Sequence, residues 1–306
     1  MKQRFDILGL GCTAVDDILY VSRYPGADEK AQVSERQRHC GGLCATALVA
    51  AARLGARCAF AGSLGLDEHS VFVLETLRRE GIDVRSAARH AKAAPIASVI
   101  VVDETRRTRN IFYHPPPMVG AALHSPSKAM IQRARVLMVD RFGIPGMIRA
   151  ARVARQSGVA VMGDFESFGV PCFRELLALV DHLIVSETFA REFTGEKKPA
   201  AAARKLWRKD RAVVVITCGG LGCWFLETGV RAPCFLPAFQ VDVVDTTGCG
   251  DVFHGAYGAS LARGLSLLER LRVASAAAAL KAGRRGGQEG APTWRAVQQF
   301  LKRRQM

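Results

Sequence analysis

Long apolar stretches are missing from this chain of 306 residues. No run approaches the ~20 apolar residues that a membrane-spanning helix needs, so no membrane partner is expected. A secretory leader is not expected either. The basic start, Met1-Lys2-Gln3-Arg4, meets only a short apolar stretch before Asp16 and Asp17. Cysteines in paired ligand spacing are also lacking. The nine cysteines are scattered, mostly in apolar segments, which reads as reduced thiols and a cytoplasmic protein. Cys40 and Cys44 flank a Gly-Gly pair, but no second Cys/His pair completes a zinc set. The seven histidines form neither H-x-H nor H-E-x-x-H. There is no internal repeat and no disordered linker, so residues 1–306 are expected to form a single unit.

Acidic residues are in short supply, 28 against 43 Lys and Arg, and the net charge is +15. Such a field favours anionic partners. Nucleic acid is the obvious candidate of a different class. Yet the basic residues are dispersed, for example Arg106, Arg107 and Arg109, or Lys302, Arg303 and Arg304. There is no basic tail, and aromatic residues hardly interleave with the charges, so nucleic acid is not the expected partner. An arginine-rich solvated surface, or a small anionic substrate, fits better.

What the chain does have is alternation. Strand patterns occur at 5–10, 97–102, 109–113, 136–140, 159–164, 182–185 and 213–217. VLMVD, VAVMGD and VVVIT are continuous apolar runs that suit strands covered on both faces, as in a parallel α/β sheet. Helix patterns occur at 43–54, 70–80, 146–157, 172–180, 187–193, 199–208, 252–263, 268–282 and 293–303. Gly55 and Gly81 end the first two as C-terminal caps. Residues 17–38 and 96–113 break the rhythm. They read as hairpin strands around polar turns, PGADEK and DETRRT, and predict a small second sheet. HPPP at 114–117 predicts a stiff loop.

Two glycine motifs compete for the chemistry. GLGCTA at 9–14 follows the first strand and fits the loose dinucleotide fingerprint through Gly9, Gly11 and Ala14. That would imply an NAD-dependent oxidoreductase. But Ala14 is followed by acidic, strand-like VDDILYV, a poor neighbour for a pyrophosphate. Gly9 and Gly11 are better suited to close packing and a tight exit from the strand. The stronger motif is VDVVDTTGCGD at 241–251, read as a strand, a turn and a helix start. Gly248, Cys249 and Gly250 fall at a helix N-terminus, where free N–H groups and the dipole attract an anion. Asp251 follows in the first turn. An anion cradle beside a carboxylate suits phosphoryl transfer, with Asp251 accepting the proton of the attacking hydroxyl. A tight turn with a dipole-favouring Asp accounts for less of D-T-T-G-C-G-D at 245–251.

DTTGCGD resembles the D-T-x-G-x-G-D signature of the ribokinase-like (PfkB) carbohydrate kinases. Cys40-Gly41-Gly42 before an alanine-rich helix resembles that family's amino-proximal Gly-Gly signature. TCGGLGCWFLETG at 217–229 resembles its nucleotide-side turn, and AAALKAGRRGGQEGAP at 277–292 its adenine and cation segment. The likeness runs along essentially the whole chain. Within the family it is nearest in look to bacterial sulfofructose-kinase-like members.

The resemblance implies a three-layer α/β/α fold, mostly parallel, with a small β-sheet lid formed by 17–38 and 96–113. It implies an ATP-dependent sugar kinase acting on a primary hydroxyl of a ketose, pentose or related sugar. Asp251 becomes the catalytic base, and Gly248, Cys249 and Gly250 the anion hole. Asp16, Gly41 and Gly42 would hold sugar hydroxyls, with Thr46, Tyr113 and Arg141 as further substrate residues. Thr217, Gly219 and Gly222 would line the ATP. Glu187 would serve Mg²⁺ through water, and Asp245 and Thr247 a monovalent cation, K⁺. Lid strands invite pairing, so a homodimer through the lid is implied.

Departures from the family pattern shape the substrate expectation. Thr46 stands where many members have Asn, and Ser186-Glu187-Thr188-Phe189 replaces N-x-x-E. Glu29 replaces a lid-turn Gly, and Tyr113 an Asn, of the sulfofructose kinases, so sulfofructose itself is not expected. A sugar-phosphate kinase, favoured by the charge and the lid arginines, and a nucleoside kinase stay open.

Overall fold

The computed structural model describes residues 5–106 and 108–304. Residues 1–4, Arg107 and residues 305–306 lie outside the described residues. One central sheet runs in the order Cys234–Pro237, Gly222–Glu227, Val213–Thr217, His182–Ser186, Ala160–Phe165, Ala134–Val139, Phe5–Leu10, Cys58–Phe60. From Val213–Thr217 to Cys58–Phe60 every pairing is parallel. The last two strands at the other edge turn antiparallel.

The continuous apolar runs earn this position through the period of two. Ile7, Val136, Met138, Val213 and Val215 point into one core, under the helices Leu43–Arg53, Cys249–Ala262 and Leu267–Ala282. Leu8, Leu137, Val139, Val214 and Ile216 point into the other, under Ile144–Gln156, Glu187–Thr194 and Pro199–Leu206. Helices therefore cover both faces of the sheet, as expected. Gly55 and Gly81 do follow their helices in the left-handed conformation, at φ +86° and +75°.

A second sheet stands apart, in the order Val33–Gly41, Ala14–Val21, Ile96–Asp103, Thr108–His114. It consists of the two expected hairpins, joined through a parallel pair between Ala14–Val21 and Ile96–Asp103. Its strands reach inward to Ala14 and Gly41, further than the sequence pattern marked.

Two expectations need correction. VDVVD is not a strand. Val243 and Val244 are exposed, and the Val244 and Asp245 N–H groups donate to Ala282 O at the end of a helix, not to a sheet neighbour. The following helix begins at Cys249, three residues before the marked 252, because Gly248 takes the left-handed N-cap, φ +74°. The sequence pattern also passed over strands at Cys58–Phe60, Gly222–Glu227 and Cys234–Pro237, which are short or open on a glycine turn.

Candidate active site

The first strand ends in GLGCTA, and its glycines are filled by protein. A Cβ on Gly9 would lie 2.6 Å from Leu48 Cδ1 and 2.7 Å from Cys44 Sγ. One on Gly11 would lie 2.3 Å from Asp140 Oδ2. Asp140 sits at the end of the neighbouring strand and accepts the N–H groups of Cys12 at 2.6 Å and Phe142 at 2.8 Å. Burial pushes its carboxyl up to about 6. The hexamer thus opens no helix and offers no amide of Cys12 to a pyrophosphate. It turns the chain into Ala14–Val21, where Asp16 lies two residues on.

Register then gathers the expected sugar residues. His39 pairs with Asp16, Asp16 with Ser98, and Ser98 with Tyr113. Directly paired residues share a face, so these four side chains form one row across the second sheet. Gly41 completes the corner. A Cβ there would be 2.3 Å from Asp16 Oδ2, and one on Gly42, at φ +91°, would strike the Thr13 backbone. Burial raises the Asp16 carboxyl, with the Ser98 hydroxyl and His39 acting the other way. Tyr113 is 66% exposed on its edge strand, so the row is open at that end. Glu29 is elsewhere, bound by Arg23 and the Gly26 N–H in a loop tip.

The DTTGCGD turn is held from three sides. Asp245 accepts the N–H groups of Thr247 at 2.8 Å and Gly286 at 3.0 Å. From the second sheet, Arg109 donates to Thr247 Oγ1 at 2.5 Å and lies 3.7 Å from Asp245. Burial works against the Asp245 charge, but these backbone donors and Lys281 outweigh it and hold the carboxyl below its usual range. His39 joins the same region through Glu289, at 2.8 Å, as an ion pair.

At the helix start, Cys249 N–H donates to Thr246 O at 3.2 Å and Val252 N–H to Gly248 O at 2.9 Å. Among the described residues no hydrogen bond engages the N–H of Gly248 or Gly250. Of the three expected cradle residues, two therefore keep free amides, and the Cys249 amide closes the turn. A Cβ on Gly250 would meet nothing within 4 Å, so an anion has room to approach. Asp251 is half-buried in the first turn. Burial pushes its carboxyl well above the usual range, and the nearby Asp164 and Glu166 carboxylates push it further.

Three residues here escaped the sequence reading. Asp164, at the end of Ala160–Phe165, is buried, and its Oδ2 has no hydrogen-bond partner among the described residues. His254 Nδ1 lies 3.4 Å from that oxygen and 2.8 Å from Gly250 O, while Nε2 lies 3.0 Å from Ile184 O. Burial disfavours its charge and lowers its pKa. A neutral ring donates through only one nitrogen, so it satisfies one of its two carbonyls. Lys281, fully buried, donates to Asp245 O. Only an isolated acid, one helix back-face histidine and a lysine on an alanine-rich helix were visible in the sequence.

The remaining expected residues also stand at the carboxyl ends of the parallel strands, where ligands of open sheets sit. Thr217 ends Val213–Thr217, and its hydroxyl faces Val185 O at 3.4 Å. Gly219, at φ +55°, has open space above it, whereas Gly222, at φ +129°, is forced by Leu236 O. Glu187 starts a helix capped by Ser186 and lies beside the Cys218 thiol. Thr46 is buried and its hydroxyl accepts from Gln288 Nε2 at 3.5 Å, which joins the helix to the loop that follows Ala282. Arg141 stacks on Phe142 at 4.3 Å, and its buried Nε has no hydrogen-bond partner among the described residues. A cleft of about 490 Å³ around Asp181 and Arg211 opens at the opposite end of the sheet and holds none of these residues.

Comparison with known proteins identifies the family. Residues 6–294 match the model of the pfkB family of carbohydrate kinases. The chain is 28% identical to a ribokinase of Haemophilus influenzae, over 96% of this chain and 97% of that one. It is 28% identical to a bifunctional ribokinase/ribose-5-phosphate isomerase A of Fructilactobacillus sanfranciscensis, over 98% of this chain but only 57% of that longer protein. In fold it is similar to the Arabidopsis thaliana ribokinase solved with ribose and ATP, with a TM-score of 0.86, 23% identity and 99% of both chains covered. No described helix is long and apolar enough to cross a membrane.

Proposed function

The chain belongs to the pfkB family of carbohydrate kinases, and from that premise we propose that it transfers the γ-phosphoryl group of ATP to a primary hydroxyl of a ketose, pentose or related sugar. One observation carries the assignment of roles. Asp251 occupies the first turn of a helix whose Gly248 and Gly250 amides have no partner among the described residues, and burial and neighbouring acids raise its proton affinity.

The sugar lies along the row of Asp16, Ser98 and Tyr113, against Gly41 and Gly42. The Asp16 carboxylate takes paired hydroxyl donors, which charge-assisted bonds favour. Asp251 receives the proton of the attacking hydroxyl, a role worth about 10²–10⁴-fold. The Gly248 and Gly250 amides bind the oxygens of the moving phosphoryl group. Each such donor is worth about 10²–10³-fold. ATP lies over Thr217 and Gly219, with Gly222 shaping the turn beneath. The second sheet acts as the lid. Its His39–Glu289 and Arg109–Thr247 contacts bring it down on the phosphate loop and keep out competing water.

Magnesium needs only one or two carboxylates besides the phosphates it bridges. Glu187 and Glu166, at strand ends beside the nucleotide path, are donors of that kind, so the residues fit. When bound, the ion supplies charge compensation on the phosphates.

A sugar phosphate is the second acceptor class, and Arg141 is the observation that favours it. Its buried, unpartnered Nε would be satisfied by an anionic group on the substrate. Arg109 is not free for that duty, because Thr247 and Asp245 hold it. A homodimer would use the outer face of the lid. A cavity of about 580 Å³ lies there beside Leu19, Val33 and Val99. Sedimentation of wild type against Val99→Asp checks it, with a shift to monomer expected.

An ADP-release screen over ketoses, pentoses, sugar phosphates and nucleosides tests the function. Sugar-dependent ADP release is expected. No release with any acceptor, together with salt-sensitive retention on RNA or DNA, would overturn the kinase assignment.

A further inference from the structure

A kinase of this construction was expected to bind K⁺ through Asp245 and Thr247. The structure does not leave that position to an ion. Lys281 lies in the last turn of Leu267–Ala282 and is 0% exposed. Its Nζ donates to Asp245 O at 2.7 Å and to Arg284 O at 3.3 Å, and sits 3.6 Å from Asp245 Oδ2. Those are two backbone carbonyls and a carboxylate from the two loops that flank the phosphate cradle. An ammonium group and a potassium ion carry the same charge, and carbonyl oxygens suit both. The expected donor set therefore does not fit a free ion, because one of its oxygens already holds a cation.

We propose that Lys281 is a tethered cation that replaces the monovalent ion, binding the Asp245 and Arg284 loops together beneath the phosphate cradle. This rests on the kinase assignment above. The sequence places the charge well for the task. Asp245 begins the DTTGCGD turn and Gly286 N–H returns to its carboxylate, so one ammonium fixes both loops. The side chain of Gly290 is absent where a Cβ would come within 3.2 Å of Lys281 Cε, leaving the stem its channel. A buried positive charge acts through a lower dielectric than a surface one, so it also favours anionic phosphate nearby. Surface arginines in solvent would be screened.

The test compares KCl with choline chloride at equal ionic strength, for wild type, Lys281→Ala and Lys281→Met. Melting temperature and ATP affinity by calorimetry are read without sugar, and ADP release with the sugar that the screen returns. Wild type is expected to show no potassium dependence in any of the three. In choline chloride the variants are expected to lose about tenfold or more in ATP affinity or turnover. Potassium should restore part of that loss in Lys281→Ala and raise its melting temperature. Potassium stimulation of wild type would overturn the proposal, as would a folded variant with full activity in choline chloride. If either variant fails to fold, the wild-type arm still decides, since a resident lysine leaves no ion to titrate. Failure of the kinase assignment would show separately, as absence of sugar-dependent ADP release with the melting and binding comparisons intact.

Discussion

Two carboxylates six positions apart, Asp245 and Asp251, open and close the same turn, yet their surroundings are opposite. Asp245 is fully provided for. Two backbone amides donate to it, Lys281 lies behind it and Arg109 in front, and its carboxyl is held low. Asp251 follows the free glycine amides in the first helical turn, and burial, with the acids Asp164 and Glu166 after it, holds its carboxyl high. Hydrogen bonds and cations favour the ionised form, whereas burial and like charge disfavour it. The first arrangement builds a rigid loop. Under the proposed function, the second keeps a group ready to take a proton, and chemistry in this cleft sits where the neutralising partners are fewest.

Breaking the reactive side gives the largest expected effect. Asp251→Asn removes the proton acceptor but keeps size and polarity. Turnover on the accepted sugar should fall about 10²–10⁴-fold, while calorimetric ATP affinity is retained. Breaking the structural side should act on stability first. Asp245→Ala leaves Lys281 buried without its carboxylate and two amides without an acceptor. We expect a loss of about 2–4 kcal/mol in urea unfolding, near the cost of breaking a buried pair.

Gly11→Ala tests the packing that lets Asp140 reach Cys12. The added methyl would stand 2.3 Å from the carboxylate, and overpacking of this sort costs about 1–3 kcal/mol. Unfolding midpoints check it, and an unchanged midpoint would show that the turn relaxes freely.

The smallest effect belongs to the lid contact between His39 and Glu289. The His39 pKa is raised above its ordinary 6.5 by Glu289, against burial. Its contribution is full below 6.5 and lost as pH rises through the raised value. The Glu289 pKa is held below its ordinary 4.5, where burial is outweighed by His39. That contribution is present above 4.5 and lost as pH falls through the lowered value. The contact should thus be strongest between these limits and fade on the alkaline side. Glu289 is 48% exposed, so after screening only about 0.5 kcal/mol is expected. Melting curves of wild type and His39→Gln across pH 5–9 (roughly the span of the histidine titration) should converge at the alkaline end.

Much of this was legible in the sequence for a physical reason. A strand covered on both faces must be apolar throughout, so VLMVD and VVVIT announced the parallel sheet. Glycines that admit an anion or a close backbone contact announced the turns at Gly41 and Gly248. VDVVD misled because alternating valines fit an exposed segment paired to a helix end as well as a strand. GLGCTA misled more deeply, since the same glycines that would admit a pyrophosphate here admit Asp140 and Leu48. Lys281, His254 and Asp164 were not legible at all. Their meaning comes from partners far along the chain, as with His254 and Ile184, 70 residues apart. No local pattern marks such a meeting.

The most direct measurement is the pH dependence of kcat/KM for wild type and Asp164→Asn on the accepted sugar. A base held high by burial and by neighbouring acids must lose its proton before it works, so activity should fall on the acid side through a pKa above the ordinary carboxylate range. Burial holds the Asp164 carboxyl high as well, so the two acids titrate together, and Asp164→Asn should move the acid limb to lower pH while the alkaline side stays in place. An acid limb at the ordinary carboxylate value would contradict the assignment of Asp251, whereas a limb that Asp164→Asn leaves unmoved would show that burial alone holds it high.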